Sequence, residues 1–185
     1  MIRLVCGLGN PGNEYARTRH NIGFMTLDEL GLSWQKKFKG LFTQENFSNQ
    51  KIVFLKPQTY MNLSGESVVE ACQFFKIQSS EILVVYDEID LPFGQVGLKK
   101  GGGLAGHNGL KSIAGLLGKD DFYRLRLGVG RPIHGTVANH VLGEFSSDEK
   151  KSIDNYLKEA KGIVEFILND GFEKASQKFS KKSLI

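Results

Sequence analysis

Residues 2–21, "IRLVCGLGNPGNEYARTRHN", open as an apolar run and break at once into a glycine loop. Gly7-Leu8-Gly9-Asn10-Pro11-Gly12 is a literal G-x-G-x-x-G after a β-type stretch, the setting in which glycines cradle a dinucleotide pyrophosphate. That chemistry needs a helix beginning inside the loop, so that its first amide groups face the phosphates. Pro11-Gly12 is a turn dipeptide instead, and "NEYART" carries no apolar helical stripe. The helical pattern starts only near His20, and the same glycine spacing returns at 101–106 as "GGGLAG". The loop therefore reads as a tight turn at a strand exit, presenting Asn10, whose amide offers both a donor and an acceptor. A P-loop is excluded, because no G-x-x-x-x-G-K-[ST] occurs.

Working outward, further strand candidates are "KIVFLKP" (51–57), "ILVVYDEI" (82–89), "GQVGLKK" (94–100) and "YRLRLGVG" (123–130), with "LFTQENF" (41–47) weaker. Helical stripes lie between them, in "NIGFMTLDELGL", "LSGESVVEACQFF" and "HNGLKSIAGLLG", and a long amphipathic helix is expected over "DEKKSIDNYLKEAKGIVEFILND" (148–170). Strands alternating with helices predict an α/β fold: one domain over residues 1–185, a three-layer α/β/α sandwich around a mixed, mostly parallel sheet. In such folds sites gather beyond the carboxyl ends of the strands. Each strand here feeds a polar, glycine-bearing loop that can line one crevice.

At 185 residues the chain can bury one sizeable core, and no apolar stretch approaches the roughly 20 residues of a membrane span. Cys6 and Cys72 make no disulfide framework, which points to a reduced, cytoplasmic protein. Net charge is +4, and the excess is local. Residues 96–131 hold seven Lys and Arg against two Asp and Glu; 1–95 hold nine against ten, and 132–185 eight against eight. A basic stretch around a glycine loop is a solvated surface or a phosphate-binding one. Lys99, Lys100 and Arg126 lie within this stretch.

Four histidines compete for acid–base work: His20, His107, His134 and His140. His20 stands out because the third strong strand ends in "YDEID", whose Asp87 can meet the imidazole across the crevice. A carboxylate accepting from Nδ1–H would leave Nε2 to take a proton from water. No G-x-S-x-G elbow is present, and Ser64 reads as helix-start chemistry. Metal ligation is not expected, since neither H-E-x-x-H nor C-x-x-C occurs and the histidines are scattered. Asn62 and Asn108 sit at loop-to-helix junctions, where each either caps a helix or, with Asn10, donates to a carbonyl and its developing oxyanion.

"GLGNPGNEYARTRHNIG", "PQTYMNLSG", "DEIDLPFG", "GGGLAGHNGLKS" and "FYRLRLGVGRP" resemble, in order and spacing, bacterial peptidyl-tRNA hydrolases. Leu104 stands where that family commonly has a polar residue, and "KASQKFS" offers Gln177 and Ser180 where asparagines are usual. The resemblance implies a mixed-sheet α/β domain that releases peptides from tRNA by cleaving the ester to the 3′-terminal ribose. It makes His20 the base and Asp87 its orienting group. Asn10, Asn62 and Asn108 would bind the peptide end or order water and oxyanion. Tyr15 and Tyr60 would flank the site, and Lys99 and Arg126, with Lys100 beside them in the basic stretch, would meet tRNA phosphate. The expectation is a cytoplasmic monomer with peptidyl-tRNA as partner, without metal, cofactor or membrane. The competing readings are a nucleotide-dependent enzyme built on the first glycine loop and an RNA-binding module without catalysis.

Overall fold

A computed structural model describes residues 1–185. Seven strands form one sheet in the order β2-β3-β4-β1-β5-β7-β6: β1 Leu4–Gly7, β2 Gln35–Lys37, β3 Gly40–Phe47, β4 Gln50–Pro57, β5 Ile82–Glu88, β6 Val96–Lys100 and β7 Tyr123–Gly128. The central four, β4, β1, β5 and β7, run parallel, and antiparallel strands flank them on both sides. The helices are α1 Ile22–Asp28, α2 Ser64–Phe75, α3 Asn108–Leu117, α4 Val137–Val141, α5 Ser147–Lys150, α6 Ile153–Asp170 and α7 Phe172–Phe179. None is long and apolar enough to cross a membrane.

Side chains alternate across the sheet, so each strand feeds two cores. On one face Val5, Leu83, Val85, Leu125 and Leu127 pack with Ile22 and Leu27 of α1 and Tyr156, Ile163 and Val164 of α6. On the other, Leu4, Cys6, Val84 and Tyr86 pack with Val68 and Ala71 of α2 and Leu110 and Ile113 of α3. Three layers result, as the alternating pattern predicts.

The first glycine loop is a packing device. A Cβ on Gly7 would lie 2.6 Å from the Gly23 carbonyl oxygen, and one on Gly23 would collide with the Val85 carbonyl. Their absence lets α1 lie almost on the backbone of β1 and β5. The Phe24 amide is already spent on Leu8 O at 3.2 Å, and the chain makes turns before Arg19. The helix thus starts too late, and with its amides too occupied, to hold a pyrophosphate. The dinucleotide reading fails on that geometry.

Three elements differ from expectation. Strand β2 has no apolar pattern, all three residues being exposed, and pairs with β3 through a turn with positive φ at Phe38 and Lys39. Such type I′ conformations ordinarily announce themselves by Asn-Gly, absent here. The long C-terminal helix is interrupted by a turn at 151–152, because "SDEK" of α5 carries no apolar residue and the buried stripe begins only with α6. Helix α7 adds a further element beyond the helix expected over 148–170. After it, residues 181–184 pair with the start of β6 and the residues before it: Lys181 N–H donates to Val96 O and Leu184 N–H to Gly94 O, each at 2.7 Å.

Candidate active site

The carboxyl ends of β1, β4 and β5 point to the same end of the sheet, and their loops meet there. His20 lies in a 3-10 turn, Arg19–Asn21, between the first loop and α1. Its Nδ1 stands 2.8 Å from Asp87 Oδ2, near the end of β5. The acceptor is a carboxylate, so the proton belongs on Nδ1, and Nε2 keeps a lone pair with no protein partner. Asp87 is 2% exposed. Burial alone would raise its carboxyl, but the positive charges that the two imidazoles carry in acid, where a carboxyl titrates, and their hydrogen bonds outweigh that and hold it well below the usual carboxylate range.

The second imidazole is His107, whose Nε2 lies 2.8 Å from Asp87 Oδ1. The two rings are 5.2 Å apart. This corrects the reading of the histidines as scattered: β1 and β5 are neighbours in the sheet, and Asp87 takes one ring on each oxygen. His107 is also the N-cap of α3, its Nδ1 accepting the Gly109 and Leu110 amides at 3.1 and 3.3 Å. Backbone amides only donate, so Nδ1 is unprotonated and Nε2–H donates to Asp87. Both ring nitrogens are occupied, which leaves His20 as the imidazole with a free basic nitrogen. His20, Asp87 and His107 come close enough together to hold a metal ion. The tautomer opposes it: a metal on His107 Nε2 would push the proton to Nδ1, against the two amides of the cap.

Asn10 is locked rather than free. Its amide donates to Asn21 Oδ1 at 2.8 Å, and Asn21 Nδ2 donates back to Asn10 O at 2.9 Å. Its own Oδ1 accepts the Met61 amide at 2.7 Å, tying the first loop to the loop after β4. That bond fixes the orientation of the amide and leaves Nδ2, without a protein partner, as the donor that can serve a ligand. Asn62, in the 3-10 turn Met61–Leu63, and Asn108, the first residue of α3, are exposed, and neither side chain caps its helix. Asn62, Asn108, Asn10, Tyr60 and His20 line one cleft of about 230 Å³. His20 and Asn108 also line an adjoining one of about 160 Å³ with Asp87 and His107. Helix α4 walls both through Ala138 and Val141. Tyr15 meets Tyr60 edge-on, their ring centres 6.3 Å apart, and Tyr60 is half exposed at the rim.

No covalent nucleophile is present among these groups. Burial pushes the Cys6 thiol far above its ordinary range and the Cys72 thiol up to about 12. Ser64 spends its hydroxyl on Met61 O at 2.7 Å.

Residues 4–184 match the family model described as peptidyl-tRNA hydrolase. The chain belongs to the peptidyl-tRNA hydrolase family. It is 46% identical over 189 residues to the peptidyl-tRNA hydrolase of Geotalea daltonii, covering all of this chain and 99% of that one. It is 49% identical over 187 residues to that of Trichlorobacter lovleyi, covering 98% and 97%. The crystal structure of peptidyl-tRNA hydrolase from Acinetobacter baumannii superposes with a TM-score of 0.91 at 37% identity, covering 100% and 97%.

The basic stretch looks different in three dimensions from its residue count. Arg124 is buried, its guanidinium donating to the carbonyls of Gly102, Gly103 and Asp120. Arg126 Nε donates to the buried Glu88 at 2.9 Å, and Arg131 pairs with Asp90. Lys99 and Lys100 have no carboxylate partner and are exposed. Lys99 stands opposite Arg124 and shares the face of Arg126, whereas Lys100 is on the other face, its ammonium 5.1 Å from the Tyr123 ring centre. Lys99 and Arg126 thus form one patch that excludes Lys100. Leu104, the apolar departure in the glycine loop, packs against the α2–α3 core. Ser180 Oγ accepts the Leu98 amide at 3.3 Å and so serves the β6 edge.

Proposed function

We propose that this chain hydrolyses the ester between a peptide and the 3′-terminal ribose of tRNA, releasing both for reuse in translation. The observation that carries the reading is the Asp87–His20 pair. It leaves one unprotonated imidazole nitrogen facing a cleft lined by neutral asparagines, within a family whose members bear this activity as their name. In the first step water, held at His20 Nε2, gives up a proton as its oxygen attacks the ester carbonyl. The imidazolium that forms is stabilised by the Asp87 carboxylate, which keeps its own charge. Asn10 Nδ2, unable to turn because its oxygen is bound to Met61, donates to the developing oxyanion or to the peptide carbonyl. As the tetrahedral centre collapses, Nε2–H returns the proton to the departing ribose oxygen. An ester needs neither metal nor covalent intermediate for this. Neutral amide groups suit a substrate recognised by its peptide bond rather than by a charged α-amine.

The reading takes the 185 residues as one domain acting as a cytoplasmic monomer, with Lys99 and Arg126 on tRNA phosphate. It is tested by incubating the protein with N-acyl-aminoacyl-tRNA and with free aminoacyl-tRNA, both in EDTA. Selective cleavage of the acylated substrate is expected, and His20→Ala should lower turnover by about 10²–10⁴-fold while still binding tRNA. Equal cleavage of the two substrates, or loss with chelator, refutes the assignment. Tight tRNA binding without cleavage would favour the RNA-binding alternative.

A further inference from the structure

We propose that Arg19 is a positioning residue for this reaction, latching the cleft wall formed by α4 to the turn that carries His20. The proposal rests on the hydrolase reading for its kinetic consequences and on geometry alone for the latch. Helix α4 is five residues long, and a helix that short does not hold itself together in water. Only Val141 of the helix is buried. His140 reaches Val129 O from it at 3.3 Å.

Thr136 Oγ1 caps its first turn by accepting the Asn139 amide at 3.1 Å, and the chain just after it is held by the Thr18–Glu144 bridge. The side-chain tie across its last turn comes from Arg19. Nη1 donates to His140 O, a carbonyl in the last turn of α4, at 3.0 Å. Nη2 donates to Glu149 Oε1 at 2.9 Å. The same Glu149 oxygen accepts the Ser146 amide and caps α5. One planar fork therefore joins the C-terminal end of one helix to the N-terminal end of the next, a bridge that the point charge of a lysine cannot reproduce. The pair is largely out of solvent, at 11% and 19% side-chain exposure, and the guanidinium carbon lies 5.8 Å from the Phe145 ring centre.

Arg19 and His20 are adjacent, so the latch ties wall and base to one rigid turn. A substrate entering the cleft then meets a wall already in place. Without the side chain, binding must order α4, and only the ordered fraction of molecules is competent, which weakens apparent affinity. The chemical step should be spared: Asp87 orients His20 independently, and the Arg19 amide keeps its own bond to Gly143 O at 3.0 Å.

The test uses Arg19→Gln and Arg19→Lys in full-length protein. N-acyl-aminoacyl-tRNA turnover, hydrogen exchange and inhibition by deacylated tRNA are measured together. For Arg19→Gln, KM should rise about tenfold with kcat within about twofold of wild type. Exchange should quicken over residues 137–142 but not in β1 or β5, inhibition by deacylated tRNA should be unchanged, and Arg19→Lys should fall between. A drop in kcat at unchanged KM, uniformly faster exchange, or faster exchange over 137–142 with normal KM each overturns the proposal. If Arg19→Gln does not fold, Arg19→Lys carries the same comparison. If wild type cleaves nothing, the hydrolase reading fails, and unchanged exchange over 137–142 in the variants then sinks the latch separately.

Discussion

Asn10 illustrates how a single amide divides its labour. Its oxygen holds the Met61 amide and its nitrogen is left for a ligand, so the two halves of the side chain can be tested apart. Asn10→Asp keeps an acceptor for Met61 but removes both donors. It should melt close to wild type yet lower kcat by about 10²–10³-fold, the usual loss of an oxyanion donor. A large drop in melting temperature at near-normal kcat would assign Asn10 to scaffold alone. Asp87 makes a pH-dependent prediction. Its folded value is depressed, so its charge contributes stability that is fully present above the unfolded carboxylate value of about 3.9 and is lost as pH falls through the lower folded value. The melting-temperature gap between wild type and Asp87→Asn should therefore be widest near neutrality and close below about pH 4. A gap that widens with acid in that range would mean the carboxylate is not held down by its imidazoles.

At the scale of elements, β6 and β7 decide which basic residues can serve a phosphate. Their antiparallel register places Lys99 and Arg126 on one face and sends Lys100 to the other. Lys99→Ala removes an unpaired charge, so it should reduce the slope of log K against log salt by about 0.7–0.9 and leave the melting temperature unchanged. Arg126→Ala should weaken tRNA binding too, but with a clear loss of stability, because Glu88 is left buried with its partner gone. Lys100→Ala should do neither. Equal salt slopes for wild type and Lys99→Ala would remove Lys99 from the interface. The basic stretch was legible as a count of charges. Which charges are spent inside the fold was not, since Glu88 and the carbonyls of Gly102 and Gly103 reach these arginines only through strand pairing and loop packing.

Across the whole molecule, one edge of the sheet is covered in part by the chain's own tail. Residues 181–184 pair with Val96 at the start of β6 and with Gly94 and Gln95 just before it, and Ile185 lies against the α-carbon of Gly94, so the tail covers the first part of that edge. An unpaired edge is a template for another chain. Deleting residues 181–185 should lower the melting temperature and produce concentration-dependent association on size exclusion. A truncated chain that stays monomeric and equally stable would show the strap to be incidental.

The sequence by itself determined the layers and the ends of the parallel strands. Apolar runs with period two and stripes with period 3.6 are local properties, and a glycine loop after each strand says where side chains for chemistry can gather. It also singled out His20, Asp87 and three asparagines, because their spacing is carried by linked motifs. It could not place β2, whose exposed residues leave no apolar trace and whose turn lacks Asn-Gly. Nor could it find the tie between His107 and Asp87, the locked amide of Asn10, or the reach of Arg19 to His140 and Glu149. Those are hydrogen bonds between residues far apart in the chain. Only when β1, β4 and β5 lie side by side, with the segment before α3 and helices α4 and α5 packed against their loops, do these groups meet, and only then does each side chain's remaining donor or lone pair become defined.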